Sequence, residues 1–270
     1  MTSPSTQATA IFLGGGRITT AIVAGLRAVG SRQQIIVHDR HASKLRRLHK
    51  DFNVVVESDL RRAVLRDGLL IVAVRPDAVR DLLREISGSL SSNRVVVSLA
   101  AGIPLARLKS WSNGTIPWSR AMPSPVCRMG NGLTAVTFAA NVPRQSRDKV
   151  RRFLAKVGSV VEIPESQFDA FSVTYSSTHG YHALAALTNA AVKIGLPRKL
   201  ALAAAAHALG DGVVGWREAG ISLKRLLDEA ATPGGVAAST MAAMDKCGHA
   251  RAVEAGLRGG MKRIRANARL

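Results

Sequence analysis

Cysteine is close to absent from this chain, with only Cys127 and Cys247 in 270 residues. Two isolated thiols build neither a disulfide framework nor a metal cluster, and they suit a reducing, cytoplasmic setting. No apolar run is long enough to span a membrane. The polar opening MTSPSTQATA lacks the basic-then-apolar order of a secretory leader, so a soluble protein is expected. Aromatic residues are scarce at 4%, which leaves packing to alanine, leucine and valine. Acidic residues are few as well: 18 Asp and Glu stand against 38 Lys and Arg, a net charge of +20. Such a balance raises nucleic acid as a partner. The basic residues are scattered over most of the expected helices, however, and no nucleic-acid-binding motif accompanies them. A basic solvated surface whose field favours an anionic cofactor and substrate accounts for the charge, and nucleic acid is not expected.

What the chain does have begins at its amino end. The apolar run Ile11 to Leu13 enters three consecutive glycines, Gly14 to Gly16, and an apolar-periodic helix follows from about Arg17 to Val29. Strand, glycine turn and helix in that order bring backbone N–H groups up to a pyrophosphate. Gly14 and Gly16 fill the first two positions of a GxGxxG pattern, and Thr19 stands at the third. Strand–helix alternation continues. Strands are expected at 10–13, 35–38, 53–56, 69–74, 94–99, 115–119 and 133–139, with helices between most of them, after a loose lead at 1–9. From about 166 strands vanish. Alanine- and leucine-rich helices are expected at 167–194, 198–217, 222–229, 235–245 and 249–268, broken at Gly195–Pro197, Gly220, Pro233–Gly235 and Gly248. The fold class is therefore α/β. A Rossmann-type dinucleotide-binding domain is expected over 1–163 and an all-helical domain over 164–270. The stretch 183–192 is apolar nearly all round, which calls for burial against a second subunit or within one bundle.

Strand two ends at Asp39–Arg40. An acidic residue there accepts ribose hydroxyls of NAD, whereas an adjacent arginine binds a 2′-phosphate. Arg40 with Lys44 favours NADP, Asp39 keeps NAD open, and a plain solvated basic helix is the alternative for the patch. Ala73, Val74, Arg75 and Pro76 end the fourth strand, where a dinucleotide crosses a doubly wound sheet.

The segments FLGGGRITTAIVAGL (12–26), IVAVRP (71–76), VVVSLAAGI (95–103), RAMPSPVCRMGNG (120–132), AAVKIGLPRKLAL (190–202) and DEAATPGGVAAST (228–240) stand in order. With them the chain resembles the pyrroline-5-carboxylate reductase family over about 8–268. The resemblance implies NAD(P)H-dependent reduction of a cyclic imine to the cyclic amine, most naturally 1-pyrroline-5-carboxylate to proline. It also implies a domain-swapped homodimer or larger assembly. Gly14, Gly16, Arg17 and Ile18 then match the pyrophosphate turn, Met122 and Pro123 the pair near the nicotinamide, and Thr232, Pro233, Gly234 and Gly235 the cradle for the substrate carboxylate. Three departures accompany the match. The family's Ser-Gly-Ser-Gly-Pro-Ala-Tyr loop is rewritten as Tyr175 to Tyr181, with Ser177 and Tyr181 retained and His179 at the proline. The threonine that follows the double glycine is replaced by Ala237. Asn-Thr-Pro becomes Ser124-Pro125-Val126. Ser177, His179, Tyr181 and Thr232 are the expected catalytic residues, with Tyr175 and His182 as further donors. Two other classes remain open: a nicotinamide enzyme on another substrate such as a hydroxy acid, for which Lys193 is the tempting base, and a non-catalytic dinucleotide-binding protein.

Overall fold

The structure is a computed structural model that describes residues 9–91 and 93–270. Of the expected loose lead, all but Thr9 lies outside those residues.

Four short apolar runs form buried strands: β1 (Ala10–Leu13), β2 (Ile35–His38), β4 (Leu69–Val72) and β5 (Val96–Ser98). The others are β3 (Val55–Val56), β6 (Trp118–Pro123), β7 (Gly132–Phe138) and β8 (Gly158–Glu162). They lie in the order β3-β2-β1-β4-β5-β6-β7-β8, parallel except where β6 meets β7. Continuous apolar runs are what strands covered on both faces require. Phe12, Val37 and Ile71 point into one core with Ile22 and Leu26 of α1 (Arg17–Ala28), Leu48 of α2 (Ala42–Phe52) and Phe153 of α6 (Arg144–Ala155). Their strand neighbours Ile11, Leu13, Ile36 and Leu70 point into the opposite core. There they meet Val64 of α3 (Leu60–Leu65), Val79 and Leu83 of α4 (Pro76–Ile86) and Leu108 of α5 (Leu105–Trp111). The chain leaves β1 towards β2 and β3 on one side and resumes at β4 on the other. The carboxyl ends of β1 and β4 therefore flank the topological switch point, where such sheets bind their ligands.

Strands β6 and β7 run close to their expected places. Helix α6 and strand β8 have no counterpart in the sequence expectations. α6 is dominated by Arg and Lys and buries just Val150, Phe153 and Leu154, and β8 is a half-exposed edge strand, so neither shows a strong periodic signal.

The expected helix over 167–194 is two helices, α7 (Glu165–Thr174) and α8 (Ser177–Lys193). The Ser176 hydroxyl oxygen accepts from the Thr178 N–H and starts a new helix. After α8 come α9 (Arg198–Ala219), α10 (Leu223–Ala230), α11 (Val236–Lys246) and α12 (His249–Asn267). The chain forms two compact units. One runs to Tyr175 and takes back Gly260–Leu270; the other is Ser176–Gly259. This division falls later than residue 163 because α7 is tied to the sheet. Arg120 of β6 pairs with Glu165 and Asp169, and the Tyr175 hydroxyl accepts from the Leu133 N–H of β7. In the second unit the buried hydrophobic residues are Ala201 and Ala205 alone, while Ile194, Leu200, Val213, Trp216 and Val236 are largely exposed.

Candidate functional site

The turn after β1 is built by close approach. Gly14 lies at φ +117, and a Cβ there would stand 2.6 Å from the Ala73 carbonyl oxygen at the end of β4. The Gly14 N–H donates to the His38 carbonyl at 2.7 Å, and Ala73 N–H donates to Leu13 at 2.8 Å. Three strand ends thus meet at one glycine. Thr19, at the third glycine position, is buried; its hydroxyl donates to the Gly14 carbonyl at 2.5 Å and ties the helix to the turn. Gly16 is the N-cap of α1, with no side-chain cap and no acidic residue in the first turn. Nothing lies within 4 Å of where its Cβ would be. An open space in front of an uncapped helix start, with exposed Arg17 and half-buried Ile18 beside it, fits a pyrophosphate.

Asp39 is engaged within the turn itself. Its Oδ2 accepts from the Gly15 N–H at 2.8 Å and from Lys44 Nζ at 3.2 Å. Its Oδ1 accepts from the His41 N–H and meets the His41 ring Nδ1, both at 2.8 Å. Those contacts occupy the four lone-pair sites of a carboxylate. Burial alone would raise the acid, but the hydrogen bonds from His41 and Gly15, with help from Lys44, hold it down at about 2. Asp39 is thus a strut of the glycine turn and Lys44 its counter-ion. Arg40, beside them, is exposed and has no ion-pair partner among the described residues.

β1, β4, β5 and β6 are parallel neighbours, so Gly14 to Gly16, Ala73 to Pro76, and Met122 with Pro123 come to the same edge of the sheet. Ala73 and Pro123 are buried, Val74, Pro76 and Met122 half-buried. Arg75 projects into solvent, its guanidinium paired with Asp77 at 3.1 Å. Two residues before Met122, Arg120 is 1% exposed. It holds Glu165 at 2.8 Å and Asp169 at 2.7 Å, with Phe168 under its guanidinium at 4.3 Å. Sequence reasoning saw the RAMP segment but not this triad, because the partners lie in a helix more than forty residues on. In the Ser124-Pro125-Val126 stretch the Ser124 hydroxyl oxygen caps a short 3-10 turn by accepting from Val126. Burial pushes the Cys127 thiol up to about 11, which keeps it inert. Among the described residues no group of His, Cys, Asp or Glu is arranged for a metal, and no helix is long and apolar enough to cross a membrane.

In the second unit, Ser177, His179 and Tyr181 all lie in the opening turns of α8. Positions four apart share a helix face, so Ser177 and Tyr181 go together, and His179, two residues along, faces away. His179 is exposed, and Tyr181 is 65% exposed. Tyr175 is absent from this group, its hydroxyl being engaged with Leu133. Thr232, Pro233 and Gly234 are exposed before α11. The Gly235 N–H donates back to the Thr232 carbonyl at 2.8 Å. Gly235 caps α11 without a side-chain hydrogen bond, and the first turn holds no acid. Ser239 donates its hydroxyl to the Gly235 carbonyl at 3.1 Å and Thr240 to Val236 at 2.9 Å, so both hydroxyls serve their own helix. Lys193 is exposed at the end of α8.

Residues 9–102 match the model of the family described as NADP oxidoreductase, coenzyme F420-dependent, and residues 165–267 match that of pyrroline-5-carboxylate reductase dimerisation. The pyrroline-5-carboxylate reductase of Mycobacterium leprae is 30% identical over 213 residues, 76% of this chain and 72% of the relative. The chain belongs to the pyrroline-5-carboxylate reductase family. The family's enzyme from Corynebacterium melassecola is 29% identical over 246 residues, 89% of this chain and 91% of that one. The crystal structure of the Plasmodium falciparum pyrroline carboxylate reductase with NADP bound superposes with a TM-score of 0.87 at 19% identity, covering 97% of this chain and 98% of that chain. The Rossmann-type unit and the helical region are therefore the two parts of the family's fold.

Proposed function

We propose that this chain reduces 1-pyrroline-5-carboxylate, or a closely related cyclic imino acid, to the cyclic amine with NADPH. The observation that carries the reading is the fit of the β1–α1 turn to a dinucleotide in a chain that belongs to this family. Gly14 lets β4 approach, Gly16 leaves the space, and the uncapped start of α1 supplies the donors. When bound, the nicotinamide supplies a hydride to the carbon of the C=N bond. The residues of the two units have other tasks, each within its own unit. Met122 and Pro123, on a strand pinned through Arg120, form the wall beside the ring. The Thr232–Gly235 turn holds the substrate carboxylate with the Thr232 hydroxyl and the uncapped N–H groups that open α11. Tyr181, with Ser177 on the same face of α8, donates the proton that the ring nitrogen needs; His179 is the alternative donor on the opposite face.

The state of Asp39 supports NADPH over NADH. A carboxylate with its four acceptor sites filled does not take up ribose hydroxyls, and Arg40 is free to pair with a 2′-phosphate. The Mycobacterium and Corynebacterium relatives are named for the proposed activity, and the Plasmodium structure holds NADP. A homodimer, or a larger ring of dimers, is part of the same reading. A helical unit with two buried alanines for a core and leucine, valine and tryptophan on its surface needs a second copy to cover it. The two unpaired thiols suit a cytoplasmic protein.

The test is oxidation of NADPH and NADH with pyrroline-5-carboxylate, with piperideine carboxylates, carboxylate-free cyclic imines and 3-hydroxy acids in parallel. Turnover with the first, better with NADPH, and a rise of roughly tenfold in the NADPH KM of Arg40→Ala with the NADH KM unchanged, are expected. Turnover of hydroxy acids alone, or cofactor binding with no turnover of any imine, overturns the reading.

A further inference from the structure

The crevice described above lies at the carboxyl ends of the parallel strands. A second concavity opens at their amino ends. It has a volume of about 780 Å³, and its floor is apolar: Leu69 at the start of β4, Val95 just before β5, and Phe153 of α6. Residues 69 and 95 enter the sheet from this edge, whereas Gly14, Ala73 and Met122 leave it at the other, so the cavity is separate from the dinucleotide turn. Its size matches that of a small-molecule site.

One wall of this cavity is cationic. Lys149 and Arg152 line it from α6 and Lys156 from the C-cap that follows, and spacings of three and four residues place them in one stripe. Lys156 donates to Gln33 at 2.8 Å. Lys149 and Arg152 are exposed, and neither has a hydrogen-bond or ion-pair partner for its side chain among the described residues. Arg94 lines the opposite side. Its guanidinium donates to the Val64 and Arg66 carbonyls, while its buried Nε makes no hydrogen bond. Asp67 is the one acidic residue in the lining. Four cations against one carboxylate, around an apolar floor, define the chemistry of an occupant: an apolar body carrying a carboxylate, sulfonate or phosphate. A purely polar anion would make no use of the apolar lining, and a neutral apolar molecule would make none of Lys149 and Arg152.

We propose that this cavity binds a small amphipathic organic anion independently of the dinucleotide. Lys149 and Arg152 hold the anionic group, and Leu69, Val95 and Phe153 receive the apolar body. The inference does not depend on which imine the enzyme reduces.

The experiment titrates the full-length protein with fluorescent anilinonaphthalenesulfonate in saturating NADPH, and repeats the titration with neutral phenylnaphthylamine. Lys149→Glu/Arg152→Glu is the test variant. Both positions are exposed, so an unchanged thermal midpoint and unchanged NADPH affinity serve as folding controls. The exposed apolar surface of the helical unit also attracts such dyes, and the variant separates the two. Sulfonate affinity is expected to fall at least roughly tenfold in the variant, with the neutral dye unaffected, because two charge-assisted contacts are lost. In the wild type, sulfonate affinity is expected to fall with added salt. Equal sulfonate affinity in variant and wild type, or a variant-sensitive dye site that appears only when NADPH is omitted, overturns the proposal. Should the double variant fail to fold, Arg152→Gln gives the same reading, with a smaller loss expected.

Discussion

Gly14→Ala and Gly16→Ala should fail in opposite ways, although the two glycines are two residues apart in one loop. At Gly14 the added methyl would stand 2.6 Å from the Ala73 carbonyl oxygen and 3.0 Å from the Val74 nitrogen, against backbone that cannot swing aside. The φ of +117 adds conformational strain of about 1–3 kcal/mol, and overpacking adds about as much again. A total near 4 kcal/mol lowers the thermal midpoint by on the order of 10 °C. At Gly16 the backbone is extended, at φ −80, and the methyl meets nothing within 4 Å. The cost there is the weaker N-cap preference of alanine, about 0.5 kcal/mol. If that space is the pyrophosphate cradle, NADPH affinity falls by at least roughly tenfold, about 1.4 kcal/mol. Thermal unfolding without cofactor, together with NADPH titration by fluorescence, reads both quantities. A Gly16→Ala protein that binds NADPH like the wild type would refute the cradle. A Gly14→Ala protein with an unchanged midpoint would refute the close approach of β4.

Three other outcomes follow from single side chains. Asp39 is held at about 2, below its ordinary 3.8, so its stabilisation is complete above about pH 4 and is lost as pH falls towards 2. Acid titration of stability should show wild type losing about 2 kcal/mol more than Asp39→Asn across that window, and equal curves would contradict the strut role. Arg120→Met leaves Glu165 and Asp169 facing each other without their cation and should cost about 3 kcal/mol in urea unfolding; Arg120→Lys should recover little, since an ammonium cannot fork to two carboxylates. Tyr181→Phe should lower kcat at least roughly tenfold with NADPH affinity unchanged, whereas His179→Ala should leave kcat within about twofold. The reverse pattern would move the proton donor to the other face of α8.

Much of this was legible in the sequence where the cause is local. β1, β2 and β4 are unbroken apolar runs that end at a glycine, an Asp–Arg pair and an Arg–Pro pair. Period and punctuation together mark a strand buried on both faces. Three helices of the second unit, α8, α9 and α11, end at Gly195, Gly220 and Gly248, each at positive φ, as the breaks in the pattern require. What escaped depends on contacts distant in sequence. Asp39 looks like a ribose acceptor until the Gly15 and His41 N–H groups fold onto it. The bond by which the Tyr175 hydroxyl accepts from the Leu133 N–H spans 42 residues and is equally invisible in the sequence. α6 carries little sequence signal because it buries just Val150, Phe153 and Leu154, and that weakly marked helix also builds the cationic wall of the second cavity.

The missing third glycine of the GxGxxG pattern and the missing family threonine have different physical standing. Thr19 replaces a glycine but supplies a bond that a glycine cannot make, from its hydroxyl to the Gly14 carbonyl, and its burial shows that the helix has room for it. The turn is therefore complete without the third glycine. Ala237 replaces a hydroxyl, and nothing in α11 restores it: Ser239 is bonded to Gly235 and Thr240 to Val236, each within its own helix. A proton for the imine nitrogen must then come from another element. α8 opens with Ser177 and Tyr181 on one face and His179 on the other, so the contrast between Tyr181→Phe and His179→Ala in kcat reads which face supplies the proton.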